Sequence, residues 1–356
     1  MKTQPATSPI SEKTARTRIV YVDFLRLLAS FFVIVNHTNS RVFMNSEISL
    51  GWYASVAYFF LCKVAVPVFL MITGIVSLNH RPDWSRYRRK VCRVLVIIVV
   101  ANLFYLVFYR LLNPGRAIVL RDVIRAIFYS ASRPLWYLYV YLICTMFMPF
   151  FQKLAATLSR REERLFLLLS VGLNGLLAML PLLDSSAKIN YMFPLATVNS
   201  YIGYLFLGHY FEKYAACRKK DACIALVLLL SILALEVALT GHYYRVDPKN
   251  YLKLEDRTFL TNVTKSWCLL VIAKALLQNA DENAASTKAI GTLGRLTFGV
   301  FLLAEIGISL LEPMYDVLAR SIPRMAAMLL FELAVFLSAL AVTAIVRKIP
   351  GVRNYL

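Results

Sequence analysis

The stretch Tyr21–Ser40, YVDFLRLLASFFVIVNHTNS, is apolar over a length that crosses a bilayer, yet it carries Asp23, Arg26 and His37. At about 100° per residue, the separation of Arg26 and His37 makes about three turns, so both lie on one helix face about 16 Å apart along the axis. Asp23 precedes Arg26 by one helical turn, close enough to pair with it. The stretch therefore predicts a membrane helix with one charged and titratable face.

This face has two interpretations. Charged groups inside a membrane cost several kcal/mol unless they are paired or hydrated, so they usually mark a functional path. Arg26 and His37 would then belong to one site, with Ser30 between them on the same face. The alternative is an Asp–Arg pair that fixes the orientation of the helix, with an unrelated histidine at its far end. The residues alone leave both interpretations open.

The composition excludes a soluble globular protein, since 59% of the 356 residues are hydrophobic and 17% are charged. Apolar segments of about twenty residues recur along the chain, which is typical of a polytopic helical membrane protein. We expect an all-α fold of about ten transmembrane helices in one domain, 19–346, between an N-terminal tail, 1–18, and a C-terminal tail, 347–356. The predicted spans are 19–38, 52–78, 94–112, 134–150, 165–183, 194–212, 222–240, 259–278, 296–312 and 325–346.

The net charge of +20 is distributed between the apolar spans, which favours a topology signal over a nucleic-acid surface. Loops on one side of the predicted bundle hold about twice the Lys and Arg of the other side, and the positive-inside rule then puts both termini in the cytoplasm. No pair of the six cysteines has zinc-ligand spacing, so no metal is expected.

The second predicted span is unusually long and contains Lys63, Pro67 and Thr73. Pro67 predicts a kink because proline lacks a backbone N–H. The segment that follows, RPDWSRYRRKVCR (Arg81–Arg93), is expected to be a basic loop. Its simpler interpretation is a topology anchor that attracts anionic lipid headgroups, and the sequence favours this. The other interpretation is a site for a cytosolic ligand that bears phosphate.

Two later residues have open roles. Trp136, in the aromatic run PLWYLYVYL, fits a membrane-interface belt more readily than a platform for sugar rings. Glu305 lies near the middle of the ninth predicted span, where a carboxylate is hard to explain as a simple contact between helices.

Several of these stretches, in order, resemble the acyltransferase-3 family of integral membrane acyltransferases. Asp23-x-x-Arg26 followed by His37 is similar to that family's R-x10-H signature. VPVFLMITGIVSL (Val66–Leu78) is similar to its VP-[LV]-F-F-x-[IM]-[ST]-G segment. LWYLYVYL and LGRLTFGVFLL (Leu293–Leu303) resemble further blocks in the fourth and ninth spans. The resemblance runs from the first span to the last.

The basic stretch resembles the family with two departures. Lys90-x-x-Arg93 stands where an Arg-x-x-Arg motif is expected, and Arg86-x-x-Arg89 matches the letters of that motif four residues earlier. Lysine keeps the charge but loses bidentate phosphate geometry. In the ninth span, an alanine and Glu305 follow the block where the family often has a histidine. Either Glu305 takes the place of that histidine, or a histidine is dispensable at this position in this protein.

The resemblance implies an O-acyltransferase that takes an acyl group from cytosolic acyl-CoA, most simply acetyl-CoA, to a hydroxyl of a cell-surface polysaccharide, lipid-linked glycan or similar acceptor. His37 would be the general base, or would carry the acyl group covalently. Arg26, held by Asp23, would bind an anionic part of the donor or stabilise developing negative charge. The expected phosphate ligands are Arg86, Arg89, Lys90 and Arg93. The supporting candidates are Ser30, Lys63, Thr73, Trp136 and Glu305.

The same resemblance implies a multi-pass protein of the bacterial inner membrane, with the bilayer as its surroundings and glycan-assembly proteins or a second copy as partners.

Two other functional classes stay open. A transporter or glycan exporter would use Asp23, Arg26, Lys63 and Glu305 to line a translocation path, although no inverted repeat is visible. A purely structural membrane partner would leave the ordered matches unexplained.

Overall fold

A computed structural model describes residues 19–44, 46–115, 117–182 and 196–355. The predicted N-terminal tail, 1–18, lies outside these residues. The described chain contains helices and no strands, which confirms the all-α prediction. Its α-helices are α1 (Val20–Thr38), α2 (Ser40–Phe43), α3 (Leu50–Cys62), α4 (Ala65–Ser77), α5 (Trp84–Leu112), α6 (Leu120–Tyr129), α7 (Trp136–Thr157), α8 (Arg160–Leu167), α9 (Asn174–Met179), α10 (Ala196–Tyr214), α11 (Lys219–Val246), α12 (Leu260–Leu277), α13 (Ala285–Gly294), α14 (Thr297–Ser321) and α15 (Arg324–Val346).

In the part of the chain that the structure describes, nine helical segments are long and apolar enough to cross a membrane. They are Val20–Phe43, Leu50–Ser77, Trp84–Leu112, Arg133–Thr157, Arg160–Leu182, Lys219–Val246, Leu260–Leu277, Thr297–Ser321 and Arg324–Val346. The predicted span 194–212 corresponds to α10, which is not among the nine because its polar residues lower its hydropathy. The chain is a multi-pass membrane protein, close to the predicted ten spans.

Helix α1 lies at the centre of the bundle. It packs against α3 and α4 on one side and against α12, α13, α14 and α15 on the others. Leu25, Ile34 and Val35 are completely buried in these contacts. The helix that carries Asp23 and His37 therefore faces protein on most sides, which is where charged residues of a membrane helix are tolerated.

Two glycines allow α4 and α10 to pack with their backbones in contact. A Cβ added at Gly74 would lie 1.9 Å from the Leu205 carbonyl oxygen, and one added at Gly208 would lie 2.0 Å from the Met71 carbonyl oxygen. Small residues are what permit such close approach between membrane helices, since van der Waals contact rather than the hydrophobic effect holds them together. The glycine of the VPVFLMITG segment thus has a packing role.

The predicted kink in the second span is a complete break between α3 and α4. Pro67 is the third residue of α4, where its missing N–H cannot extend a helix from α3. The break leaves carbonyls free for side chains from other helices: the Asn36 amide donates to the Cys62 carbonyl at 2.8 Å, and the Lys265 ammonium donates to the Phe60 carbonyl at 2.7 Å. Lys63 lies at the break itself.

The basic stretch is helical, and its interpretation as a loop was wrong. Helix α5 begins at Trp84, about three turns before the predicted start at 94, so the basic residues from Arg86 to Arg93 occupy its first turns. Asp83 caps this end by accepting hydrogen bonds from the backbone N–H groups of Ser85 and Arg86, both at 3.0 Å. The hydrogen bond from Arg86 holds the pKa of the Asp83 carboxyl below its usual value.

Candidate active site

Asp23 and Arg26 form the predicted ion pair. The Arg26 Nη1 donates to Asp23 Oδ1 at 2.9 Å, with the Asp23 side chain 11% exposed and that of Arg26 33% exposed. Gly294 of α13 packs directly on Asp23, since an added Cβ there would lie 3.0 Å from the Asp23 Cβ. This packing and the charge-assisted hydrogen bond fix the position of the guanidinium.

Arg26 lines a cavity of about 180 Å³ between α1, α4, α5, α7 and α14, named here the Arg26 cavity. Its polar and aromatic lining consists of Arg26, Phe69, Thr73, Ser77, Lys90, Tyr137, Tyr141, Thr297, Phe298 and Phe301. The Lys90 ammonium lies 5.3 Å from the centroid of the Tyr141 ring, within the range of a cation–π contact. The cavity thus has two cations and a largely aromatic wall.

A second cavity, of about 190 Å³, adjoins the first at the start of α5 and is named here the basic cavity. Its polar lining consists of Ser77, His80, Arg81, Asp83, Arg86, Tyr87, Lys90, Thr145 and Gln152. Ser77 and Lys90 line both cavities, so the two are neighbours. Of the four predicted phosphate ligands, Arg86 and Lys90 line this cavity, whereas Arg89 and Arg93 are exposed side chains outside its lining.

His37 lines a third cavity, of about 190 Å³, towards the other end of α1. The polar and aromatic lining of this His37 cavity consists of Asn36, His37, Lys63, Phe69, Trp136, Tyr137, Glu255, Arg257 and Phe301. No residue in the described ranges forms a hydrogen bond or ion pair with the His37 imidazole. Within these ranges, its ring nitrogens are therefore free to accept a hydrogen bond from a molecule in the cavity or to donate one to it.

Three aromatic residues, Phe69, Tyr137 and Phe301, line both the Arg26 cavity and the His37 cavity. The Tyr137 ring is central to this aromatic partition, with its centroid 5.9 Å from that of Phe69 and 5.8 Å from that of Phe301. Consequently, Arg26 and His37 share a helix face but open into different cavities, with the partition between them.

The His37 cavity contains two charged residues that sequence reasoning did not select, Glu255 and Arg257. Glu255 accepts from the Lys63 ammonium at 2.9 Å, and the Arg257 guanidinium lies 4.2 Å from the centroid of the Trp136 ring. Both residues belong to the segment between α11 and α12, whose charges carried no motif. With ten spans and both termini predicted in the cytoplasm, the spans alternate so that this segment follows the seventh span on the same side as the His37 end of the first span, and this was its only signal.

The supporting candidates divide between the cavities and the surrounding bundle. Lys63 and Trp136 line the His37 cavity, and Thr73 lines the Arg26 cavity. Ser30 is buried and donates to the Leu27 carbonyl of its own helix at 2.8 Å. Glu305 accepts from the Tyr109 hydroxyl at 3.2 Å and is outside the lining of all three cavities.

A comparison with protein-family models matches residues 19–348 to an acyltransferase domain, that of the acyltransferase-3 type. This match covers nearly the whole chain. The chain belongs to the acyltransferase-3 family. No curated protein and no solved structure matched this membrane acyltransferase. The matched range includes every candidate site residue, so the three cavities lie within the acyltransferase domain itself.

Proposed function

We propose that this acyltransferase transfers an acyl group, most simply acetyl, from cytosolic acyl-CoA to a hydroxyl of a surface polysaccharide, lipid-linked glycan or similar acceptor. One observation carries the proposal: three neighbouring cavities, which share lining residues, form a row from the basic start of α5, past Arg26, to His37. Cations thus stand at one end of the row and a histidine free to act as a base stands at the other.

The donor would bind in the first two cavities. Arg86 and Lys90 suit the phosphates of CoA, because both are cations that line the basic cavity. The Arg26 cavity, which adjoins the basic cavity, would then hold the linear arm of the donor. Arg26, about three turns from His37, would then bind an anionic or polar portion of the donor rather than the reacting carbonyl.

The transfer itself would occur next to His37. A hydroxyl is a weak nucleophile near neutral pH, and a neutral imidazole can take its proton as the oxygen attacks the thioester carbonyl. The new C–O bond forms, the C–S bond breaks, and CoA leaves as a thiolate that takes up a proton. Because the aromatic partition stands between the cavities, the acyl end of the donor must pass Phe69, Tyr137 and Phe301 to reach the base.

The proposal is tested with the purified full-length protein in sealed vesicles and acetyl-CoA labelled in the acetyl group. The expected result is protein-dependent release of free CoA thiol, with the label transferred to a hydroxyl compound extracted from membranes. Passage of a separately labelled, unmodified sugar across the vesicle membrane, without thiol release, would instead support the exporter. Vesicles without the protein provide the background rate.

A further inference from the structure

The lining of the His37 cavity is not electrically balanced. It contains two basic residues, Lys63 and Arg257, and one carboxylate, Glu255. Lys63 and Glu255 neutralise each other through their 2.9 Å ion pair. Across the described ranges, no carboxylate pairs with the Arg257 guanidinium, whose contact is the face of the Trp136 ring. One cation is therefore left in excess.

The field at the base is also positive. Besides Lys63, which Glu255 neutralises, Arg133 and Arg257 act electrostatically on the His37 imidazole. In a cavity that is partly shielded from water, such a field attracts an anion more strongly than it would in bulk water. A planar guanidinium fixed against an aromatic ring presents its N–H groups in the geometry that suits a carboxylate or a phosphate.

The cavity also offers hydrogen-bonding groups for a polar ligand. The Asn36 Oδ1 is buried and has no hydrogen-bond partner within the described ranges, while its Nδ2 is used by the Cys62 carbonyl. The Glu255 side chain is 42% exposed, so its carboxylate retains capacity to accept from a hydroxyl. The Trp136 ring provides an apolar face beside these groups.

The geometry points to an acceptor site for an anionic hydroxyl compound, in which Arg257 binds a carboxylate or phosphate of the acceptor while a neighbouring hydroxyl faces His37. This inference rests on the proposed function and narrows its acceptor to an acidic sugar or a sugar phosphate. Trp136 positions the guanidinium, and the Lys63–Glu255 pair keeps a second cation from competing for the anion.

The test uses two matched pairs of small probes with the purified full-length protein. The glycoside methyl glucuronide has a C6 carboxylate where methyl glucoside has a hydroxymethyl group, and glycerol 3-phosphate has a phosphate where glycerol has a hydroxyl. Binding is measured as thermal stabilisation without donor, and turnover as probe-dependent release of CoA thiol from acetyl-CoA. We expect at least one charged probe to bind and react about tenfold better than its neutral partner, the effect of one hydrogen-bonded charge pair.

Variants then assign the preference to one residue. Arg257→Gln should abolish the preference for the charged probe, and Arg257→Lys should retain part of it. Lys253→Gln is the matched control, since Lys253 lies in the same segment with its ammonium 4.3 Å from the Tyr243 ring and outside the cavity lining. It should leave the preference unchanged.

Equal responses to charged and neutral probes, including none to either, would overturn the acceptor site, as would a preference that persists in Arg257→Gln. The use of acyl-CoA as donor is tested separately, by the consumption of acetyl-CoA. If charged probes stabilise the wild-type protein selectively but acetyl-CoA is never consumed, the acceptor site stands and transfer from acyl-CoA fails.

Discussion

Arg26 and His37 lie on one face of α1 but line different cavities, on opposite sides of a partition made by Phe69, Tyr137 and Phe301. A helix of this length places them about 16 Å apart along its axis, too far to act on the same atom. Their spacing is explained if each serves a different part of one elongated reaction path. The partition then becomes the element that controls passage along it.

The donor site should depend on Arg86 and Lys90 more than on Arg93. Lys90→Gln is expected to raise the KM for acetyl-CoA about tenfold with little change in kcat, because it removes a charge that binds phosphate. Arg93→Gln is the matched control, since Arg93 is exposed outside the basic cavity. Initial rates of thiol release over a range of acetyl-CoA concentrations give KM and kcat for both variants. Equal increases in KM would show that the cavity does not define the donor site.

The Asp23–Arg26 pair should act as one unit. Asp23→Ala and Arg26→Ala are each expected to lower kcat/KM about tenfold or more, because each leaves a charged group without its partner at 2.9 Å. The double variant should be no worse than Arg26→Ala alone, since Asp23 acts through the guanidinium. Additive losses in this double-mutant cycle would contradict the assignment of Asp23 as a positioning residue.

The aromatic partition should limit the length of the acyl chain. Phe301→Ala removes one wall of the passage and is expected to raise the use of butyryl-CoA relative to acetyl-CoA several-fold. Phe298→Ala is the matched control, because its ring stacks on Phe301 at 6.4 Å but lines the Arg26 cavity alone. The rate ratio for the two donors is the measurement. Equal ratios in both variants would exclude the partition as the selective element.

The contact between α4 and α10 should be intolerant of any side chain. Gly208→Ala places a Cβ 2.0 Å from the Met71 carbonyl oxygen, so the helices must separate, at an expected cost of about 1–3 kcal/mol. Gly51→Ala is the control, since its Cβ would meet its nearest neighbour at 3.8 Å. Thermal unfolding in detergent compares the two. A melting temperature for Gly208→Ala equal to that of the control would contradict the close packing.

Hydrophobic patterning was sufficient to predict the fold class and most spans, because the length and apolarity of a membrane helix are fixed by the bilayer. It failed at the start of α5, where charged residues in the first turns resemble a loop. There Asp83 caps the helix and the basic side chains reach towards solvent and the basic cavity. Helix α10 is buried among other helices and so tolerates polar residues that lower its hydropathy.

The candidate site could be predicted where its residues share one helix or stand in a stretch that resembles the family. Arg26 and His37 were visible because helical periodicity relates them directly. Glu255 and Arg257 reach the His37 cavity from a segment more than two hundred residues later in the chain, and no local pattern marks such a contact. The motif also could not predict that Arg89 and Arg93 are exposed outside the basic cavity. Its spacing does not distinguish side chains that line a cavity from those that face solvent.

The most direct measurement is the rate of acyl transfer in the His37→Ala variant. The assay uses purified protein, acetyl-CoA labelled in the acetyl group, and the hydroxyl compound extracted from membranes as acceptor. Loss of a general base is expected to lower kcat about 10²–10⁴-fold while acetyl-CoA still binds. His242→Ala, which removes an exposed histidine of α11, should retain the wild-type rate. Transfer by His37→Ala at a rate close to that of His242→Ala would contradict the role of His37 and, with it, the proposed path from donor to acceptor.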